Sequence, residues 1–315
     1  MNRSGICGLV AILVGAPALH ALHAQRAGVV LALPASARAA GAGDAAPLAM
    51  DASALFYGSE NLPVTRAVSA SAGTWIGGAQ FSTLAVAMPV RGTTFGVGLQ
   101  SLDYGSADEI IPDPLTGGAR GTATGNRVSA SEFAITAAAG RRAGAWRVGV
   151  AGTFVSQQIA EATGHTTGVD AGAGVVLRGW DLTAAAQHLG GMLQLGVVRS
   201  PLVRTYRGAV ASPAWQAGRT SLRGVAECRS VDGEGTLALL GGEGKWEGAA
   251  GWQLSLRGAV VSQSVTTVRA PWSTGGSAAR GDWSLDYAYQ GFGALGAVHR
   301  MGVTWQSRAA RDTSR

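Results

Sequence analysis

The stretch Trp146-Arg-Val-Gly-Val-Ala-Gly-Thr-Phe-Val-Ser156 decides the fold class. Every second residue from Trp146 to Phe154 is apolar or glycine, and the intervening set, from Arg147 to Val155, is mostly small or polar. This period of two predicts a β-strand with two different faces. The strand is long enough to cross a bilayer at a tilt, with its apolar face toward lipid and its other face toward a lumen. A soluble β-sandwich would bury the apolar set instead, so this strand alone leaves both architectures open.

The first residues predict export. Met1-Asn-Arg-Ser4 carries positive charge, an apolar run follows over residues 5–19, and a small residue stands at Ala24. This pattern predicts a secretory signal peptide over residues 1–24. We expect no lipid anchor, because Ile6 precedes Cys7 where a lipoprotein signal has a small residue. Cys228 is then the only cysteine of the mature chain, which excludes an internal disulfide.

The composition further limits the class of protein and its expected partners. Only 14% of the residues are charged, glycine occurs 48 times, and no later apolar run reaches the roughly 18 residues of a membrane helix. The net charge is +6, and Lys245 is the only lysine. The arginines could attract the acidic head groups of outer-membrane lipid or lipopolysaccharide, or they could reflect a GC-rich genome. Nucleic acid is not an expected partner, because no basic run is present.

Residues 25–63 differ from the rest, because small residues dominate and no period of two is visible. A short helix is expected from Asp51 to Tyr57, with Asp51 or Ser53 as its N-cap. We interpret this segment as an N-terminal plug of a barrel formed by residues 64–305; a flexible leader is the alternative. Residues 306–315 are predicted to be a polar, disordered tail.

The remaining pattern predicts an antiparallel meander. We expect a hairpin around residues 89–92, a long loop over 103–127, and a final strand over 298–305 that pairs with the first. The other predicted strands cover 129–140, 146–157, 169–177, 180–188, 205–211, 220–228, 235–240, 246–256, 258–265 and 283–289. About 14 strands, within a range of 12 to 16, fit a closed transmembrane β-barrel.

Tryptophans are placed at the predicted strand ends. Such positions favour an interfacial girdle over the core of a sandwich. The residues concerned are Trp146, Trp180, Trp246, Trp283 and Trp305.

Several segments resemble the PorV/PorQ family of outer-membrane proteins, distant relatives of the FadL fatty-acid transport barrels. The carriers are the leader Ala37-Arg-Ala-Ala-Gly-Ala-Gly-Asp-Ala-Ala-Pro-Leu-Ala-Met-Asp-Ala-Ser-Ala-Leu-Phe-Tyr57 and residues 129–156, 169–190 and 286–300. After the leader, this chain reads Gly58-Ser-Glu-Asn-Leu-Pro63 where the family has Asn-Pro-Ala-Gly. The resemblance implies a barrel of about 14 strands with an N-terminal plug, and a role in type IX-like secretion through binding or scaffolding of cargo or secretion-system proteins.

The sequence contains no recognisable catalytic or metal-binding constellation. His165, His188 and His299 are far apart, and their spacing to other residues predicts no metal site or catalytic triad. We therefore predict no catalytic, cofactor-binding or metal-binding residues and no enzymatic activity; ligand- or partner-binding residues are not assigned. The two functional hypotheses are an outer-membrane scaffold for protein partners and, alternatively, a FadL-like channel for hydrophobic small molecules.

Overall fold

The structure is a computed structural model that describes residues 27–116, 120–232, 235–262 and 271–307. The predicted signal peptide and most of the predicted polar tail lie outside the described residues. None of the helices in the described ranges is long and apolar enough to span a membrane.

Seventeen strands and a few short helices are found in these residues. The strands are β1 Ala67–Thr74, β2 Gln80–Val90, β3 Thr93–Pro112, β4 Gly121–Ala143, β5 Trp146–Ile159, β6 Ala162–Leu177, β7 Trp180–Gly190, β8 Met192–Leu195, β9 Val198–Pro201, β10 Thr205–Ala211, β11 Trp215–Ala217, β12 Thr220–Val231, β13 Gly235–Glu247, β14 Trp252–Val261, β15 Trp272–Arg280, β16 Trp283–Gly291 and β17 Ala297–Gln306. The helices are α1 Val29–Ala32, α2 Ala37–Ala40 and the 3-10 turns Ala46–Leu48, Ala52–Phe56, Ser59–Asn61, Ile76–Gly78, Pro114–Thr116, Ala249–Gly251 and Gly293–Leu295.

The strands close into a barrel. Each wall strand pairs antiparallel with the next, β10 pairs with both β7 and β12, and β17 pairs with β1 from Ala67↔Gln306 to Gly73↔Arg300. Within the described part of the chain, 14 strands form this closed wall. The predictions of an all-β barrel of about 14 strands and of a last strand that closes it are therefore confirmed.

The two faces of the wall match the predicted alternation. On β5, the side chain of Trp146 is 61% exposed and that of Val148 55%, whereas Arg147 and Thr153 are buried. On β16, Trp283 and Leu285 point outward and Asp286 inward. The outward residues form the apolar surface that lipid requires, and the inward ones line a lumen.

Tryptophan is concentrated at one end of the barrel. The connections at residues 91–92, 144–145, 178–179 and 281–282 are short turns at that end, and we call it the short-turn end. Seven of the nine tryptophans lie there: Trp146, Trp180, Trp215, Trp246, Trp252, Trp283 and Trp305. Short turns are typical of the periplasmic side. The predicted placement of tryptophans at strand ends is confirmed, mainly at one end of the barrel, and the interfacial girdle stays a prediction.

The predicted long loop over residues 103–127 is wrong, because residues 103–112 and 121–127 belong to the two strands of a β-hairpin. β3 continues to Pro112 and β4 begins at Gly121, with register shifts between Asp103 and Ser106 and between Asp108 and Ile110. Both faces of this hairpin are exposed, so no alternation marked it in the sequence. It projects beyond the wall at the end opposite the short turns, which we call the loop end.

Predicted strand boundaries near the C-terminus are also wrong. Residues 246–256 do not form one strand, because the chain turns at Ala250 and Gly251, both with positive φ. Trp246 and Leu254 are partners across this hairpin. The two residues belong to different strands, although their spacing in the sequence resembles the alternation of a single strand. The strand predicted at 258–265 is the second half of β14, and residues 263–270 lie outside the described ranges. Strand β15 was missed, because it consists mainly of small residues.

Candidate functional site: the plugged lumen

Residues 27–63 run through the lumen from the loop end to the short-turn end, and we call them the plug. α1 packs at the loop end, while Ser59–Asn61 contacts β4, β5 and β6 near the short turns. Ala39, Leu48 and Leu55 are at most 1% exposed. The predicted helix near Asp51 is a 3-10 helix, Ala52–Phe56, and Asp51 is its N-cap, because its carboxylate accepts a hydrogen bond from the N–H of Ser53. The plug fills the lumen, which explains why its sequence lacks a period of two.

Polar side chains of the wall satisfy the backbone of the plug. Irregular backbone that is buried needs hydrogen-bond partners outside itself. Amide and hydroxyl groups on the inner face donate to plug carbonyls, and two carboxylates accept from plug N–H groups. The pairs are Thr83 to Ala35, Gln100 to Val30, Gln187 to Phe56, Gln290 to Ala40, Val30 to Glu132 and Ala46 to Glu227. Sequence reasoning assigned none of these residues; their signal is an inward polar position on an otherwise small-residue face.

Two buried ion-pair groups attach the plug to the wall from β10 to β16. In the first, Arg38 of the plug binds Glu243 at 2.7 Å, and Arg257 joins Glu243 (2.7 Å) to Asp286 (2.9 Å). The desolvation of a buried charge is offset only when the pair is complete, so loss of one member is costly.

In the second group, Asp44 of the plug pairs with Arg207 at 3.3 Å and with Arg229. Arg207 also binds Glu227 at 3.0 Å. Arg38 and Asp44 of the plug therefore each have wall partners of opposite sign, which favours one position of the plug.

Glycines allow the plug to approach the wall closely. A Cβ at Gly98 would overlap the ring of Phe56, and one at Gly140 would overlap the backbone of Ser59. A Cβ at Gly172 would overlap the carboxylate of Glu60. The high glycine content of the inner face therefore reflects contact with the plug, in addition to the curvature of the barrel.

Glu60 is a buried carboxyl group at the short-turn end. Its Oε1 accepts a hydrogen bond from Asn61 at 2.9 Å, and the residue is 2% exposed. Burial raises the pKa of the Glu60 carboxyl to about 7; a backbone hydrogen bond and the charge of Arg147 act in the opposite direction, and Asp181 adds to the rise. Arg147 itself is ion-paired with Asp181.

The loop end of the lumen is apolar. The plug start, the wall and the β8–β9 hairpin contribute to one cluster of buried side chains, which we call the loop-end cluster. Its members are Ala27, Val30, Leu31, Leu33, Ala79, Phe81, Leu102, Ala134, Val155, Leu193 and Leu202, with Val29, Trp75 and Leu195 packed against it. At the loop end the plug start and the β8–β9 hairpin thus pack into one apolar cluster inside the barrel.

The three histidines are not brought together. His165 stacks on Phe154 at 6.0 Å between ring centroids on the outer face. The Nδ1 of His299 lies 2.7 Å from the hydroxyl of Tyr287, also outside. His188 is buried at the end of β7, where its ring contacts the carbonyl of Val203. Each belongs to a different strand and has its own partner.

Comparison with known proteins identifies the fold but no sequence family. No family model and no curated protein matches the sequence. Among solved structures, the toluene transporter TbuX of Ralstonia pickettii superposes with a TM-score of 0.55 at 11% identity, over 87% of this chain and 98% of that one. The toluene transporter TodX of Pseudomonas putida gives 0.55 at 8% identity, over 86% and 97%.

A FadL homologue of Pseudomonas aeruginosa also gives a TM-score of 0.55, at 12% identity, over 87% of this chain and 98% of that one. The comparisons do not confirm the PorV/PorQ family specifically. The chain has the FadL-like, 14-strand barrel fold, which is that of an outer-membrane protein.

Proposed function

We propose that this protein is an outer-membrane channel for hydrophobic small molecules. The observation that carries the proposal is the loop-end cluster, the buried apolar side chains that surround the start of the plug at the loop end of the lumen. Apolar side chains favour an apolar ligand, because its transfer out of water is favourable by roughly 25 cal/mol per Å² of buried surface. The similarity to barrels that are described as toluene transporters supports a monoaromatic hydrocarbon as the first ligand to test.

Uptake of radiolabelled toluene tests this proposal. Cells that lack other hydrocarbon channels should accumulate toluene faster when they express the chain. Val155→Thr replaces a methyl group inside the loop-end cluster with a hydroxyl of similar size and should slow uptake several-fold. Val150→Thr makes the same change on the outer face of β5, where Val150 is 59% exposed, and should leave uptake unchanged. Equal uptake in expressing and non-expressing cells would exclude this function for toluene.

A second candidate is the scaffold for protein partners that the sequence suggested. The observation that favours it is the projecting β3–β4 hairpin, where Ile110 and Ile111 are 61% and 60% exposed on opposite faces. A role of this scaffold in type IX-like secretion is part of the same hypothesis. Cross-linking in native membranes, with and without Ile110→Ser and Ile111→Ser, would detect a protein partner of this hairpin. A cross-linked product that is unaffected by both substitutions would argue against the hairpin as its binding surface.

A further inference from the structure

Strands β7 to β10 form one long hairpin that bends into the lumen. The β7–β10 pairing ends at Gln187↔Thr205, and the β8–β9 pairing begins at Met192↔Pro201. Between these pairs, residues 188–191 lie opposite residues 202–204. The segment that follows β7 therefore has one residue more than the segment that precedes β10. The pairing of β6 with β7 shows the same excess, because Val169 faces Leu189 and Ala171 faces Ala186.

His188 lies at this extra position. Its φ is +57°, in the left-handed region that non-glycine residues seldom adopt. Two contacts hold it there: its N–H donates to Oδ1 of Asp170 at 2.6 Å, and its Nδ1 lies 3.0 Å from the carbonyl oxygen of Val203. An extra residue in one strand bends the hairpin and changes the direction of the residues that follow it. The bulge at His188 therefore directs residues 192–201, which we call the tip, away from the wall.

The bent tip packs against the loop-end cluster. Leu193 and Leu202 are each 1% exposed within the loop-end cluster. Ala27 of the plug pairs with Leu202 in a parallel bridge, and its N–H donates to the carbonyl oxygen of Pro201 at 3.2 Å. The tip therefore contacts the plug start and covers the apolar side chains around it.

The same bend leaves part of the wall without its neighbour. β6 begins at Ala162, but its pairing with β7 begins at Gly168. Among the described residues, 162–167 pair with β5 alone, and the tip lies on their inner side, where Gly164 leaves room for the backbone of Gln194. One edge of this β6 segment is thus available to a strand that would continue β7 in the plane of the wall.

We propose that the tip is a gate over the lumen and that the bulge at His188 is its hinge. In the observed closed state the tip covers the loop-end cluster. In the open state it straightens and pairs with residues 162–167 of β6. The register Gly168↔Gly190 then continues upward and places Met192 opposite Thr166 and Gln194 opposite Gly164. Because the tip exchanges one set of backbone and apolar contacts for another, both states retain partners for it. This gate deepens the proposed channel function and rests on it.

The test measures access to the plug start, independently of any substrate. Leu31→Cys in a Cys228→Ser background places a thiol in the loop-end cluster, where Leu31 is 8% exposed. We measure its reaction with a membrane-impermeant maleimide on whole cells. Deletion of His188 removes the extra residue and should speed labelling at least tenfold. His188→Gly keeps a residue that adopts positive φ readily, so labelling should stay slow.

A second pair of variants covers the case in which the deletion prevents assembly. Gly164→Val fills the space on the inner side of β6 that the tip occupies. It should therefore also speed the labelling of Cys at position 31. Thr163→Val changes the neighbouring, outward side chain and should not. Slow labelling of an assembled Gly164→Val or His188-deletion protein, or equal labelling in His188→Gly and the deletion, would overturn the gate. Toluene uptake in the same cells is scored separately: faster labelling without uptake in any variant supports the gate and rejects the substrate class.

Discussion

Gly41 of the plug and Gly275 of β15 are packed backbone to backbone: a Cβ on Gly41 would lie 2.8 Å from the Cα of Gly275. This distance is shorter than any normal contact of a Cβ atom, so a side chain at either position must move the plug. The contact lies next to Gln290, whose amide holds the carbonyl oxygen of Ala40 at 3.0 Å. The position of the plug therefore depends on the absence of side chains at Gly41 and Gly275 as well as on the ion pairs.

Gly275→Val should displace the plug. The added side chain overpacks a filled lumen, and overpacking costs about 1–3 kcal/mol. We expect a larger ion conductance in planar bilayers and a lower melting temperature. Gly276→Val is the matched control, because Gly276 lies outside the contact with the plug and next to Leu256. Unchanged conductance in an assembled Gly275→Val protein would show that the plug does not close the lumen there.

The lipid-facing assignment of β5 predicts a strong effect of charge at Val148. Val148→Arg places a guanidinium in the apolar band and should cost about 2–4 kcal/mol of folding free energy in bilayers. Thr153→Arg, on the opposite face of β5, is not a suitable control. It should also lower the folding free energy, because Thr153 is buried against the plugged lumen and hydrogen-bonded to Thr136 at 3.0 Å. The suitable control is Ser156→Arg, beyond the apolar band on the outer face. Similar losses for Val148→Arg and Ser156→Arg would contradict the assigned membrane level.

The closing strand predicts a sharp boundary for C-terminal truncation. Removal of residues 308–315 should leave heat-modifiable migration on gels unchanged. Removal from residue 301 onward deletes the partners of β1 and should abolish assembly, because unpaired backbone groups cannot be satisfied in hydrocarbon. Gln306 belongs to the strand rather than to the tail, since it pairs with Ala67 and its amide contacts Thr65 at 3.0 Å. Normal assembly of the long truncation would place barrel closure elsewhere.

Glu60 predicts that the protein loses stability as pH rises. Its pKa is raised from 4.5 to about 7 by burial, so the folded state disfavours the ionised carboxylate. The stability that the protonated group provides is complete below the unfolded pKa and is lost as pH rises through the folded pKa. The melting temperature should therefore be lower at about pH 8 than at about pH 5. Glu60→Gln should reduce this difference, whereas Glu247→Gln, at an exposed position, should leave it unchanged. An equal pH dependence in Glu60→Gln would exclude Glu60 as its source.

Lipid contact is a further proposal that the outer face supports. Trp272 stacks on Tyr289 at 5.6 Å, and Tyr289 packs edge-on against His299 at 5.4 Å, near the loop end. Aromatic groups of this kind occur at membrane interfaces. Outer-membrane lipid or lipopolysaccharide is the partner we propose for this surface.

The sequence by itself determined the barrel. In β5 the alternation of Val148 and Val150 with Arg147 and Thr153 is a property of local order, because a strand places neighbouring side chains on opposite faces whatever its partner. The same rule identified β16 and the closing strand. It failed where that contrast is absent: the exposed β3–β4 hairpin has no buried face, and β15 has almost no large side chains.

Only the tertiary structure decided what the lumen contains. Contacts such as Asp44 with Arg207, or Val30 with Glu132, join residues that are more than 100 positions apart, and no local pattern encodes such pairing. The same holds for the bend at His188, which exists because Asp170 and the carbonyl of Val203 hold one residue at positive φ. Hydrophobic alternation specifies a wall through local geometry, whereas the plug and the proposed gate depend on long-range complementarity of charge, space and backbone hydrogen bonds.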